Sequence, residues 1–143
     1  MVDYDKLKKS LVHLEKQYAN YLSINKRENL SVLDKEGISE SVVQRFETCY
    51  DTLWKHLKKY LEIESGLPDV PNSPKPVLRL AYENHIIDNI EKWLDYANVR
   101  VGTAHDYSED KLNEALDKTG SFIKDAILLY ESISKETWIS DER

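Results

Sequence analysis

Apolar residues recur every three or four positions from the start of the chain: Tyr4, Leu7, Leu11, Leu14, Tyr18 and Tyr21. That spacing lines one face of a helix and predicts a first helix over residues 3–23, with Asp3 as its cap. Residues 25–37 are polar and charged and read as a connection, with room for one helical turn near Leu30 to Leu33. A second helix follows over residues 39–65. Val42, Val43, Phe46, Tyr50, Leu53, Trp54, Leu57 and Leu61 sweep a continuous stripe along it. Ser39 or Ser41 suits its start, and Gly66 suits its stop.

The run from Leu67 to Asn72 is a loop. Ser73 and Pro74 then form a cap and first-turn proline for a short third helix over residues 74–84. Asp88 is the expected cap of a fourth helix, which carries Ile90, Trp93, Leu94 and Ala97 and should end near Arg100 to Gly102. Ser108, Glu109 and Asp110 open a fifth helix over residues 109–134. Residues 135–143 read as a frayed tail. The expected fold is all-α: an antiparallel up-and-down four-helix bundle with one additional short helix.

Composition supports this picture. The chain has 143 residues, four glycines and four prolines, and the prolines concentrate in one short segment. So few breakers favour long helices, and the length fits one domain spanning residues 1–143. The net charge of −6 works against binding nucleic acid through the overall field, leaving only a local basic pocket for that role. The lone Cys49 cannot form an internal disulfide, reads as a small core filler and fits a reducing, cytoplasmic setting. No apolar run is long enough to span a membrane.

The chemistry concentrates in Arg100-Val101-Gly102-Thr103-Ala104-His105-Asp106-Tyr107. Glycine-rich phosphate loops, His-Glu-x-x-His and nucleophile elbows are absent, and no two histidines are spaced to share a metal on one helix, so neither metal nor cofactor is expected. His13 and His56 flank apolar stripes and read as partly buried. His85 sits near a helix end. On an unbroken helix, five residues rotate a side chain by roughly 140°. Arg100 and His105 therefore converge only if the chain turns at Gly102 or a second subunit completes the site. A guanidinium, an imidazole and a phenol together suit phosphate chemistry. The bland alternative has Arg100 capping a helix, His105 filling a turn and Tyr107 covering core.

The spacing Arg100, four residues, His105, one residue, Tyr107 resembles the HEPN superfamily. It is closest to the branch of nucleotidyltransferase substrate-binding proteins that includes the HepT toxins. Upstream segments resemble the same branch: Gln44-Arg45-Phe46-Glu47 with Tyr50 and Leu53-Trp54-Lys55, then Ser73-Pro74 with Val77-Leu78-Arg79, then Trp93-Leu94-Asp95. The resemblance implies a helical bundle that forms a homodimer or higher oligomer, with clefts near the subunit interface. It implies a metal-independent ribonuclease toxin with Arg100 and His105 as its catalytic pair and RNA as substrate. It further implies a minimal nucleotidyltransferase antitoxin that places AMP on Tyr107. Val101 departs from the polar residue that many members carry after the arginine. Glu47 and Lys55 read as the solvated flank of an amphipathic helix. A second reading keeps the same cleft without catalysis, in a subunit that presents a substrate to a separate nucleotidyltransferase. Trp93 and Tyr96, large for an exterior, are the expected apolar surface of the dimer.

Overall fold

The computed structural model describes residues 1–140. Five α-helices follow in order: α1 (Asp5–Leu22), α2 (Val32–Ile63), α3 (Pro74–Glu83), α4 (Ile90–His105) and α5 (Glu109–Ser134). A 3₁₀ turn, Ile24–Lys26, follows α1. Helices α2 and α5 touch each other, with α1 packed on both, α4 on α5, and the short α3 bridging α2 to α4. The helical bundle with one added short helix is the expected architecture.

The core is the union of the predicted stripes. Leu7, Leu11 and Leu14 of α1 meet Val42, Val43, Phe46, Leu53, Leu57 and Leu61 of α2, all essentially without solvent exposure. Phe122 of α5 sits at the centre of an aromatic cluster. Its ring lies 4.9 Å from Phe46 and 5.3 Å from Tyr96, both edge-on, with Trp93 at 6.1 Å. Trp93 and Tyr96 are thus interior residues, not the exterior surface expected of them. They occupy the face of α4 turned toward α5, and the T-shaped contacts consume their ring edges. Cys49 is buried in the same core, and burial pushes its thiol up to about 12.

Three boundaries differ from the sequence reading. Helix α2 begins at a capping box, not at Ser39. The Asp34 amide donates to Ser31 Oγ at 3.0 Å, and the Ser31 amide donates to Asp34 Oδ2 at 3.1 Å. Val32 and Leu33 are exposed there, so these first turns bury no apolar face and leave no periodic trace. The bonds from Ser31 hold the Asp34 carboxyl below its ordinary value. A depressed carboxylate stabilises above its unfolded pKa, so this cap holds at neutral pH and is lost as pH falls through the acid range. Ser31→Ala should accelerate hydrogen exchange at residues 32–36 while lowering the global Tm by less than about 2 °C, because the turns fray locally. A much larger fall would show that these turns carry the core.

Asn89, not Asp88, caps α4, its side chain accepting from the Lys92 amide. The tail is not frayed through residue 140. Lys135 turns the chain in a left-handed conformation, φ 64°. The Trp138 ring then packs edge-on against Tyr130 at 5.4 Å, and its amide donates to Glu131. Ser140 donates to Glu15 of α1. Residues 141–143 of the expected tail lie outside the described residues. Among the described residues, no helix is long and apolar enough to cross a membrane.

Candidate functional site

Helix α4 does not end at Gly102. It continues unbroken to His105, and the Asp106 amide closes the last turn on the Gly102 carbonyl. The backbone turn that would aim Arg100 and His105 at one pocket is absent. Gly102 instead packs beside the Lys111 side chain of α5, which a Cβ at that position would meet at 3.4 Å. With an intact helix between them, the two side chains leave the axis roughly 140° apart.

Arg100 points across to α2. Its Nη1 donates to Glu47 Oε2 at 2.8 Å, while Nε and Nη2 fork onto Asp51 Oδ1 and Oδ2 at 3.3 and 3.1 Å. One turn further along α4, the buried Thr103 donates its hydroxyl to the same Glu47 oxygen at 2.8 Å. The hydrogen bond to Asp51 is the largest influence raising the guanidinium above its ordinary value. Glu47 and Asp51 are four residues apart on one helix, where like charges repel. Arg100 neutralises that repulsion and ties α4 to α2. It lies inside the helix, so it does not cap a C-terminus.

His105 is the last residue of α4 and is exposed. Tyr107 follows in the short connection to α5, where Ser108 caps the helix as expected. The Tyr107 side chain is also exposed and covers no core. Its hydroxyl is held above the ordinary phenol value, first by partial burial, then by Glu47 and Glu40, with Arg100 opposing. Tyr107 is therefore within electrostatic reach of the Arg100 network. Arg100 and Tyr107 are close enough to influence each other electrostatically, whereas the unbroken helix turns the His105 side chain away from Arg100.

Beside this network lies an open cleft of about 650 Å³ between α2, α3 and α4. Tyr50, Trp54, Lys55, Pro74, Arg100 and Val101 line it. Lys75 on the α3 side donates to Asn98 of α4 at 2.6 Å, which fixes α3 against α4. The Tyr50 hydroxyl is buried without a hydrogen-bond partner among the described residues. A buried hydroxyl without a partner is costly, so this one weakens the wall behind the cleft.

Glu47, Asp51, Thr103 and Tyr50 are the site residues that the sequence reading missed. Glu47 is no solvated flank, since two hydrogen bonds from α4 converge on one of its oxygens. Nothing in the spacing marks it, because its partners lie 53 and 56 positions away. His56 is buried, with Nδ1 2.7 Å from the Thr52 carbonyl, as a structural histidine should be. His13 is exposed instead, and His85 adopts a left-handed conformation just past the end of α3.

A family model described as nucleotidyltransferase substrate binding protein like matches residues 2–135. Among solved structures, one reported as HI0074 from Haemophilus influenzae, revealing the fold of a substrate binding domain of a nucleotidyltransferase, superposes with a TM-score of 0.80. It is 19% identical, and the match covers 92% of this chain and 99% of that one. A structure of a Thermus thermophilus protein superposes with a TM-score of 0.60 at 25% identity, covering 85% of this chain and 97% of that one. No curated protein sequence gives a significant match.

Proposed function

The chain belongs to the family of nucleotidyltransferase substrate-binding-like proteins, and on that premise we propose that it is a non-catalytic substrate-binding subunit working with a separate nucleotidyltransferase. The substrate sits in the cleft between α2, α3 and α4. Trp54 offers an aromatic wall and Lys55 a positive charge, while Arg100, bonded to Glu47 and Asp51, holds the α2 and α4 walls in place. The observation that carries this reading is the commitment of Arg100 to Glu47 and Asp51 on an unbroken helix. A guanidinium held by two carboxylates orients and binds. It is poorly placed to stabilise charge developing on a phosphate beside a distant imidazole.

One observation favours a second reading, the ribonuclease toxin. Tyr107 is exposed beside Glu47 and Glu40, open to a partner that transfers AMP to its hydroxyl. In that reading a homodimer brings His105 of one copy toward Arg100 of the other, and RNA enters between them. Val101, exposed on α4, is the apolar residue such a dimer would cover in place of Trp93 and Tyr96.

Co-expression with a nucleotidyltransferase encoded beside it, followed by co-purification and intact mass, separates the two. The binding-subunit reading predicts a stable complex and an unmodified chain. A mass gain of one or more AMP units, lost in Tyr107→Phe, would overturn it in favour of the toxin.

A further inference from the structure

A second polar surface lies on a different face of the bundle and takes no part in the cleft. Lys6, Lys9 and His13 follow one another along α1, and Arg45 and Thr48 face them from α2 across a groove of about 320 Å³. No carboxylate lines this groove. In a chain of net charge −6, a groove floored mostly by aliphatic side-chain stems and rimmed by two lysines, an arginine, a histidine and hydroxyls is a local reversal of sign. Lys6, Lys9 and Arg45 are exposed. They make no ion pair among the described residues, whereas Lys92, Arg100 and Lys118 each hold a carboxylate. Around α2, at roughly 100° per residue, Arg45 stands about 120–160° from Asp51 and Glu47, and Thr48 lies between the two faces.

We propose that this groove binds consecutive phosphates, as in the backbone of a nucleic-acid strand or a free polyphosphate chain. Lys6 to His13 spans seven residues, about 10 Å of helix, so the groove is longer than a single phosphate. Lys6 and Lys9 stand on one wall and Arg45 on the other, so a chain of phosphates lying along the groove meets cations from both sides. The Thr48 hydroxyl adds a neutral donor. No aromatic residue lines the groove, so bases find no stacking platform and recognition is of the backbone alone, without sequence preference. This inference does not depend on how the Arg100 cleft is read.

The test uses a fluorescein-labelled single-stranded RNA of mixed sequence, about 20 nucleotides, followed by anisotropy from low to moderate salt. Inorganic triphosphate serves as the competitor. The expected result is saturable binding that weakens with salt. Lys6→Glu/Lys9→Glu/Arg45→Glu lowers the affinity at least tenfold and flattens the log–log salt slope by about 2, the value for three lost single-strand phosphate contacts. The neutral set Lys6→Gln/Lys9→Gln/Arg45→Gln should show the same direction, which guards against a folding defect in the charge reversal. Displacement of RNA by micromolar triphosphate identifies a free polyphosphate as the tighter occupant; failure to displace identifies the strand. The proposal is overturned if the wild-type chain binds neither probe, or if both triple variants bind as tightly as wild type. Binding lost in Arg100→Ala but kept in the triple variants would overturn this groove while leaving the cleft reading intact.

Discussion

Phe122→Ala should lower the thermal midpoint by roughly 10 °C. Phe122 has no solvent exposure and touches Phe46, Trp93 and Tyr96 from α2 and α4. Truncation removes the ring's burial and leaves a cavity that three other rings cannot collapse into without losing their own edge-to-face geometry. A buried Phe→Ala change costs about 3–5 kcal/mol, and each kcal/mol moves the midpoint of a domain this size by about 2–4 °C. Phe122→Leu should lose less than half as much. Circular dichroism during heating reads both. A fall below about 3 °C for the alanine variant would mean that the cluster is not the centre of the core.

Arg100→Ala carries the second-largest expected effect and bears on function. It removes the only cation bonded to Glu47 and Asp51 among the described residues, leaving two carboxylates one helical turn apart and partly shielded from water. A fully buried broken pair costs about 3–5 kcal/mol. The side chains here keep 17% and 38% of their exposure, so solvent screening reduces the expected loss to about 2–3 kcal/mol. That corresponds to a midpoint lower by roughly 5–10 °C. Arg100→Met combined with Glu47→Gln and Asp51→Asn removes all three charges and should recover most of the loss. A neutral Arg100→Ala would show that the guanidinium is free of its carboxylates and available for other chemistry.

The helices that bury a continuous stripe were legible. Helix α5 runs over Glu109–Ser134, the bounds its Ser108 cap and apolar spacing predict. The first turns of α2 were not, because Val32 and Leu33 face solvent and Gly37 looks like a breaker. The Ser31 and Asp34 pair was the readable signal there. Gly102 misled in the same way: a glycine inside a helix costs only about 1 kcal/mol, and tertiary packing on α5 outweighs it. The interior position of Trp93 and Tyr96 is not legible from their size, because it depends on which face of α4 meets α5. In the site, the chemical character of Arg100 and Tyr107 was visible, but the direction Arg100 points was not. That direction is set by Glu47 and Asp51, which only the packing of α4 near α2 brings within reach.

If Arg100 binds and orients, and does not act with His105 to cut RNA, the purified chain leaves RNA whole. The direct measurement incubates the chain in molar excess with labelled RNA, without and with a nucleotidyltransferase encoded beside it, and resolves the products on a denaturing gel. Intact RNA is expected throughout, with His105→Ala indistinguishable from wild type. RNA cleaved by the wild-type chain and spared by His105→Ala would contradict the binding role.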